Sequence, residues 1–239
     1  ILVDITVDGA VVKALVQLSK QGFAYVLNRE TGEPVWPIEE RPVPLSDVPW
    51  EWTSPTQPFP TKPPAFERQG VSEDDLIDFT PELRAEALQV VENFTLGPIY
   101  TPPTLQEPNG NRGTIALPSA GGGVNWPGGA VDAEAGILFV PSVTRPSLFG
   151  LIDGTEGTGV RYHISSASGV PTVRDLPLIK PPYGRITAID LTEGEILWQI
   201  PHGETPGYIQ AHPDLQGVDV PKTGILTQGS GLLVTSTLL

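Results

Sequence analysis

The sequence predicts an all-β fold of stacked hairpins, and three observations support this prediction. Glycine and proline occur 26 and 27 times among 239 residues, which is about twice their average share of about 12%. A hairpin-like motif recurs along the chain, and two of its copies are separated by about the length of a propeller blade. Because all-β architectures of about this size commonly form one domain, we expect one partial β-propeller domain over residues 1–239.

Composition excludes several classes of protein. Hydrophobic residues make up 39% of the chain, so there is apolar surface for a core that a disordered chain lacks. The net charge of −14 repels phosphate backbones, which excludes nucleic acid as an expected partner. The absence of cysteine excludes disulfides, thiolate catalysis, Cys-ligated zinc and a C-x-x-C-H haem attachment.

The repeated motif is an apolar strand that ends at Asn or Asp, followed by Gly four residues later and Trp four residues beyond. Two copies are AYVLNRETGEPVW and ITAIDLTEGEILW. The positions are Asn28, Gly32 and Trp36 in the first copy and Asp190, Gly194 and Trp198 in the second. We predict that the Asn or Asp side chain caps a turn, Gly takes a positive φ, and the next strand carries an aromatic side chain inward.

A third copy, GAVDAEAGILFV, has Asp132 and Gly136 at the same separation but Val140 in place of Trp. Asp132 and Asp190 lie 58 residues apart, about the length of a four-stranded propeller blade with a long loop. Such a hairpin cannot bury its apolar face alone, so neighbouring copies must stack. A propeller is therefore favoured, with a solenoid or a sandwich as the alternatives.

Residues 37–100 are predicted to be an insertion between blades. The part from 37 to 70 is rich in proline, which cannot donate to a strand ladder and holds the chain extended. The part that follows, SEDDLIDFTPELRAEALQVVENF, is the best helix pattern in the chain. The simplest interpretation of this insertion is a structural cover over a surface.

The helix pattern has start signals at two positions. Ser72 and Asp75 have capping-box spacing, and Thr80 precedes a proline at the first helical position. Apolar residues at helical spacing define the face that should pack on the propeller. These are Leu83, Ala87, Val90 and Phe94.

Strand-like runs resume from about Gly113. They are GTIALPS, GILFVPS, GRITAID, EILWQI and the final GLLVTSTLL. The last run, residues 231–239, ends without a turn or an evident partner. We interpret it as a strand of a blade that is not closed within these residues.

Several polar residues are weaker candidates for chemistry. His163, His202 and His212 occur in loop-like surroundings at separations that fit no common metal-ligand pattern. The pairs Glu39–Glu40 and Asp74–Asp75 have the residue types of a glycosidase acid and base. One pair lies in the proline-rich segment and the other at a helix start, where solvation and the helix dipole account for them.

A glycine-rich segment, GGGVNWPGGA at residues 121–130, is a stronger candidate. Five glycines in ten residues allow the backbone to approach another group closely. Asn125 supplies a donor and an acceptor, and Trp126 supplies a flat face. This combination suits a planar ligand with a polar edge, and the alternative is a structural turn with a core Trp.

Lys20 is the second candidate, in QLSKQGFAYVLNRETG. It is predicted to end a strand at a Gln21-Gly22 turn, from which its ammonium can project into a central pocket. The alternative is a solvated lysine on a turn.

These stretches resemble a known family. KALVQLSKQGFAYVLNRETGEPVWPIEERPVP, SPTQPFPTKPP, DDLIDFTPELRAEA and GGGVNWPGGAVDAEAGILFVPS are similar to segments of PQQ-dependent (quinoprotein) dehydrogenases of the glucose, quinate and alcohol type. The resemblance covers most of residues 1–142 and is looser after Arg145. It implies a C-terminal portion of an eight-bladed propeller with PQQ on its axis and Ca²⁺ or Mg²⁺ beside it. It also implies a periplasmic location and transfer of electrons to a quinone or a cytochrome.

Position by position, the resemblance places the family's cofactor-contacting lysine on Lys20 and its Asn-Trp pair on Asn125 and Trp126. The family's general-base Asp and its metal ligands would lie upstream of Ile1, as would any membrane anchor. The 239 residues alone are therefore expected to be inactive, and the rest of the propeller is an expected partner.

The leading hypothesis is a dehydrogenase that oxidises an alcohol, polyol or sugar by hydride transfer to PQQ. The alternative is a non-catalytic propeller that acts as a binding or scaffold module. Glycoside hydrolysis is a third possibility, for which the sequence offers no convincing pair of carboxylates.

Overall fold

The computed structural model describes residues 1–154, 159–165, 169–226, 230–235 and 237. Strands far outnumber helices among these residues, which confirms the all-β prediction. The strands are β1 (Leu2–Val7), β2 (Ala10–Leu18), β3 (Ala24–Asn28), β4 (Ile38–Pro42), β5 (Thr56–Pro60), β6 (Thr104–Leu105), β7 (Thr114–Ala116), β8 (Ala130–Asp132), β9 (Ile137–Val143), β10 (Ser147–Asp153), β11 (Tyr162–Ile164), β12 (Thr172–Val173), β13 (Leu176–Pro177), β14 (Gly184–Asp190) and β15 (Glu195–Pro201). The helices are α1 (Pro81–Val91) and the single turn α2 (Gly207–Gln210), with 3₁₀ turns at Glu73–Asp75 and Pro213–Leu215.

The first sheet is an antiparallel meander in the order β1–β2–β3. Strand β2 is its centre and pairs with β1 from Leu2↔Leu15 onward and with β3 from Ala14↔Asn28 onward. The chain then turns back along β3, where Val35 N donates to Val26 O at 2.8 Å. This short return supplies the beginning of a fourth strand, as the repeat predicts for a blade.

The second sheet has four strands in the order β15–β14–β9–β8, and all neighbours are antiparallel. Its centre is the long pairing of β9 with β14, from Val143↔Gly184 to Ile137↔Asp190. The connection between these two strands contains β10 to β13. The 58 residues between the second and third copies of the repeat therefore include this long connection, as the spacing predicts.

The two sheets share one apolar core. Alternate residues of a strand point to the same face, and the inward faces of both sheets meet in this core. Its buried members include Val3, Ile5, Val16, Val26, Phe66, Val124, Leu138, Val140 and Ile189. The stacking of neighbouring hairpin units, which the sequence predicts, is thus observed.

The three turns of the repeat have the predicted geometry. The Oδ1 atoms of Asn28, Asp132 and Asp190 accept hydrogen bonds from the backbone N–H two residues later, at 2.9, 3.0 and 2.7 Å. The following glycines, Gly32, Gly136 and Gly194, have φ values of 80°, 70° and 67°. A side chain at these φ values is strained, so the Asx–Gly spacing is required by the turn.

The two tryptophans of the repeat differ in environment. Trp36 of the first copy packs against Gly194 of the other, where a Cβ would lie 3.0 Å from Trp36 Cζ2. Trp198 lies on β15 at the edge of its sheet and is 36% exposed, in contact with the Phe139 ring. The prediction of an inward aromatic is therefore wrong for Trp198, because within the described residues no further strand covers β15 on that side.

The predicted helix is present as α1. Thr80 Oγ1 accepts a hydrogen bond from Leu83 N at 3.2 Å, and Ser72 N donates to Asp75 Oδ2 at 2.9 Å at the preceding 3₁₀ turn. The buried face contains Leu83, Ala87 and Val91. Val91 is buried in addition, while the predicted Val90 is half-buried and packs against the same core, which Phe94 reaches from the turn beyond the helix.

The proline-rich part of the insertion contains one hairpin, β4–β5, with register Ile38↔Pro60 to Pro42↔Thr56. At the other end of the chain, residues 231–235 form no strand, which contradicts the predicted final strand. A strand requires a neighbouring strand for its backbone groups, and in the described ranges residues 231–235 belong to no sheet; residues 236, 238 and 239 lie outside those ranges. In the part of the chain that the structure describes, no helix is long and apolar enough to cross a bilayer.

Candidate functional site

Lys20 lies inside the turn that joins β2 to β3. Strand β2 ends at Leu18, so Lys20 is two residues beyond the strand rather than at its last position as predicted. The turn is closed by Gly22 N, which donates to Ser19 O at 3.0 Å, and Gly22 has φ +84°. The Lys20 side chain is exposed, and its Nζ donates to Ala120 O at 3.4 Å.

The glycine-rich segment lies directly against this turn. Gly123 N donates to Lys20 O at 2.9 Å. At Gly122, which has φ +88°, a Cβ would be 2.7 Å from Lys20 Cβ and 2.6 Å from Val124 O. Glycine is therefore needed here because the two backbone segments approach too closely for a side chain.

Asn125 is held in a fixed orientation by its own loop. Its Nδ2 donates to Gly121 O at 2.9 Å, and its Oδ1 accepts from Trp126 N at 2.8 Å. An amide has two N–H donors and two lone pairs, so one donor and one acceptor site remain for another group. The loop thus fixes the position of the amide without using all of its hydrogen-bonding capacity.

Trp126 is 92% exposed. This value excludes the alternative interpretation in which Trp126 is a core residue below a structural turn. An indole buries a large apolar area when it packs, and here almost all of that area is open to solvent. The exposed ring faces the same cavity as Lys20 and Asn125.

The three predicted residues line one pocket of about 480 Å³. Its walls come from the end of β2 and from residues 124–129, which lead into β8. Lys20 and Asn125 are about a hundred positions apart in the chain, and packing of the two sheets brings them together. The pocket combines a cation, an amide and an exposed aromatic face.

Behind this pocket lies a buried polar network that the sequence did not reveal. The Glu67 carboxylate is fully buried and accepts hydrogen bonds from Ser142 Oγ at 2.6 Å and Thr144 Oγ1 at 2.5 Å. Arg185 Nη2 lies 3.5 Å from Glu67 Oε1 and donates to Thr144 Oγ1 at 2.7 Å. The buried charge is thus both paired and hydrogen-bonded, as burial of a carboxylate requires.

Glu67 also supports both loops of the site. A Cβ at Gly22 would lie 2.9 Å from Glu67 Cβ, and one at Gly123 would lie 2.6 Å from Glu67 Cγ. The Glu67 stem therefore occupies the space directly under the Lys20 turn and the glycine-rich segment. Nothing in the local pattern FERQG indicates this role, because the side chains that contact the Glu67 carboxylate come from residues 75 or more positions away.

A second arginine extends this region toward the segment that precedes β14. Arg68 donates to Lys180 O at 2.6 Å and to Pro181 O at 2.7 Å. Burial, followed by the nearby Arg185 charge, lowers the pKa of Arg68 from its ordinary value. Two positive charges are therefore held beside the buried carboxylate of Glu67.

Metal ligands were not predicted within the chain. Among the residues that the structure describes, no group of three or more His, Cys, Asp or Glu side chains could hold a metal ion. The Glu39 carboxylate, a weak candidate for a glycosidase acid in the sequence, forms an exposed ion pair with Arg41 at 2.9 Å. His212 accepts from Asp214 N at 3.2 Å and so acts as a cap of a 3₁₀ turn.

Comparison with curated proteins finds several quinoprotein dehydrogenases. The chain is 32% identical over 224 residues to the glycerol dehydrogenase large subunit of Gluconobacter thailandicus, covering 82% of this chain and 30% of that protein. It is 28% identical to quinate/shikimate dehydrogenase (quinone) of Acinetobacter baylyi and 29% identical to quinoprotein glucose dehydrogenase of Escherichia coli, with 82% and 83% of this chain covered and 26% of each relative. The chain thus spans less than a third of the length of these relatives.

Among solved structures, a europium-containing methanol dehydrogenase is similar with a TM-score of 0.41 and 20% identity, covering 84% of this chain and 27% of that one. Residues 1–239 match the family described as "PQQ: Glucose/ethanol/alcohol dehydrogenase, beta-propeller domain". The match extends over the whole chain, and the stacked antiparallel sheets agree with part of a propeller. The chain therefore belongs to the PQQ-dependent glucose/ethanol/alcohol dehydrogenase family, as part of its β-propeller domain.

Proposed function

We propose that the chain supplies one side of the cofactor site of a PQQ-dependent dehydrogenase that oxidises an alcohol, polyol or sugar. The observation that supports this proposal is the single pocket shared by Lys20, Asn125 and Trp126. The relatives named above include glycerol, quinate/shikimate and glucose dehydrogenases. All of these names refer to substrates that carry hydroxyl groups.

The pocket suits PQQ in chemistry and size. PQQ is a flat, polyanionic ortho-quinone, so it requires a cation, hydrogen-bond donors at its edge and an apolar face. Lys20, the free donor of Asn125 and the exposed ring of Trp126 supply these three features. The volume of about 480 Å³ lies in the usual range of about 300–1,000 Å³ for small-molecule sites.

Bound PQQ supplies the acceptor for the hydride that leaves the substrate carbon. With PQQ bound, Lys20 would stabilise negative charge on the cofactor, because a cation in a partly closed site lowers the energy of such charge. Asn125 would donate its remaining N–H to the cofactor, and its loop would hold the amide in place. Trp126 would cover one side of the cofactor and exclude water from it.

Other parts of the proposal lie outside these 239 residues. We propose that the base which accepts the hydroxyl proton, and the ligands of a Ca²⁺ or Mg²⁺ ion, come from other segments of the complete propeller. We also propose a quinone or cytochrome as electron acceptor and a periplasmic location. These statements rest on the family to which the chain belongs.

The proposal is tested by Lys20→Ala in the full-length, PQQ-loaded enzyme. Loss of a charge-stabilising donor is expected to lower dye-linked turnover by about 100-fold to 1,000-fold. Lys13→Ala is the matched control, because Lys13 also lies on the β2–β3 hairpin but forms an exposed ion pair with Glu30 at 2.7 Å. Equal turnover of Lys20→Ala and the parent enzyme would refute the assigned role.

A titration with PQQ and Ca²⁺ separates this proposal from a scaffold function. The full-length protein is expected to take up PQQ in a metal-dependent way and to show the absorbance of the bound cofactor. A protein that binds no PQQ under these conditions would instead be a non-catalytic propeller.

A further inference from the structure

A second cavity, of about 500 Å³, adjoins the Lys20 turn. It is lined by Lys20 and Gln21 and by parts of the proline-rich segment, residues 43–57. We infer that this cavity is the substrate site and that it selects a neutral mono-alcohol with an apolar body over a polyol or an organic acid. The inference rests on the proposed function, because it requires PQQ beside Lys20.

The position of the cavity supports this inference. Lys20 lines both the 480 Å³ pocket and the 500 Å³ cavity, so the two spaces meet at one side chain. A substrate in the second cavity would therefore approach the edge of the cofactor that Lys20 contacts. Proximity of the reacting groups is the first requirement for hydride transfer.

The walls of the cavity are mostly apolar. Val43 and Pro44 contribute from the proline-rich segment, Leu117 and Phe149 from the region of β7 and β10, and Ile99 from the turn after α1. Aliphatic and aromatic walls stabilise the carbon chain of a ligand by removing it from water. The insertion that the sequence presents only as a surface cover thus forms one wall of this cavity.

Charge in the cavity is limited to one group. Of the residues that line it, all within the described part of the chain, Lys20 alone is an ionised side chain. Tyr100 also lines the cavity, and burial together with the nearby Tyr25 raises its pKa to about 12, so its hydroxyl stays neutral. An anionic substrate would have no counter-charge apart from Lys20, which the proposed function assigns to the cofactor.

Two of the hydroxyl groups at the cavity are already committed to the protein backbone. Ser54 Oγ donates to Thr56 O at 2.8 Å, and Thr101 Oγ1 donates to Pro98 O at 2.7 Å. A sugar has a hydroxyl on almost every carbon, and those that face Val43, Leu117 or Phe149 would lose their bonds to water without replacement. A single hydroxyl directed toward the cofactor beside Lys20 avoids this loss.

The experiment uses the full-length enzyme loaded with PQQ and the primary alcohols from ethanol to hexanol. We expect kcat/KM to rise about fourfold for each added methylene, the factor that corresponds to burial of one CH₂ group. Glycerol and glucose are expected to be poorer substrates than butanol. Val43→Asp places a charge in the apolar wall and is expected to flatten this dependence on chain length.

Leu45→Asp is the matched control, because Leu45 lies in the same segment, is 62% exposed and does not line the cavity. Binding is measured separately by calorimetry with 2-methyl-2-hexanol, a tertiary alcohol that has no hydrogen on its carbinol carbon and cannot be oxidised. Val43→Asp should weaken its binding at least tenfold, whereas Leu45→Asp should leave it unchanged.

Absorbance of bound PQQ on the same samples separates the two levels of the proposal. If PQQ binds but glycerol or glucose is preferred, or chain length has no effect, the inference about the cavity is overturned and the proposed function stands. If Val43→Asp changes the KM of a quinone acceptor and not that of the alcohol, the cavity serves the acceptor and the inference is overturned. If the parent enzyme binds no PQQ, both the inference about the cavity and the proposed function are refuted.

Discussion

The two sides of the Lys20 turn differ in how tightly they are held. On the pocket side, the side chains of Lys20 and Trp126 are exposed and make few contacts with the protein. On the inner side, Glu67 is buried among Ser142, Thr144 and Arg185. The difference separates residues that are free to contact a ligand from residues that fix where the loops stand. Substitutions on the pocket side should therefore weaken ligand binding with little change in stability, whereas substitutions on the inner side should lower the stability of the fold.

The largest effect is expected for Glu67→Ala. Removing the carboxylate leaves Arg185 buried beside hydroxyl groups without its charge partner, and breaking a buried pair in this way costs about 3–5 kcal/mol. Chemical denaturation of the full-length protein, followed by fluorescence, measures this change. Glu67→Gln keeps the shape and some hydrogen bonds, so it should lose less. If Glu67→Ala leaves the free energy of unfolding unchanged, the buried network around Glu67 does not stabilise the loops of the site.

Gly122→Ala is expected to lower both the stability of the fold and the affinity for PQQ. Alanine at a positive φ costs about 1–2 kcal/mol, and the new Cβ would also displace the Lys20 stem, which it would meet at 2.7 Å. Gly9→Ala is the matched control, since Gly9 has φ +78° but nothing within 4 Å of its Cβ position. Gly122→Ala should therefore weaken PQQ binding in an equilibrium titration, whereas Gly9→Ala should affect stability alone. Equal PQQ affinity in the two variants would contradict close contact between the loops.

Trp126→Ala is expected to change binding without changing stability. A ring that is 92% exposed contributes within about 0.5 kcal/mol to folding, while an aromatic face against a flat ligand contributes up to about 1.5 kcal/mol. The dissociation constant of PQQ should thus rise by up to about tenfold. Trp52→Ala serves as the control, because Trp52 is 81% exposed and lines neither cavity. A PQQ affinity that responds equally to both substitutions would argue against a stacking role.

The smallest effect is expected for Tyr100→Phe, which should change only how stability depends on alkaline pH. Burial raises the pKa of Tyr100 from 10.0 to about 12 and also raises the pKa of Tyr183. Above pH 10 the unfolded chain releases these protons while the folded chain retains them, so stability should fall as pH rises from 10 to 12. Tyr100→Phe should make this decline shallower, as measured by denaturation midpoints at several pH values. An unchanged slope would show that Tyr100 titrates alike in both states.

The parts of the fold that are local in sequence could be predicted. The Asx–Gly turns at Asn28, Asp132 and Asp190 depend on residues within five positions of one another, and the cap of α1 depends on Thr80 and its neighbours. The predicted final strand is absent over residues 231–235, because an apolar run does not reveal whether a partner strand exists. The exposure of Trp198 could not be predicted for the same reason, since it depends on whether another strand lies beside β15.

The site was predictable only through the family resemblance. Composition identified a glycine-rich segment suited to a flat ligand, but nothing local links it to Lys20, which lies in another blade. Glu67 could not be found in this way, because its partners Ser142 and Arg185 come from β9 and β14. Such residues become visible only when the sheets are packed together.

We propose that Lys20, Asn125 and Trp126 hold the same cofactor ring. The most direct measurement is an experimental structure of the full-length enzyme with PQQ bound. We expect cofactor density in the pocket between these three side chains, with Lys20 Nζ and Asn125 Nδ2 both within hydrogen-bonding distance of its quinone edge. Density for PQQ elsewhere, with this pocket filled only by water, would contradict it.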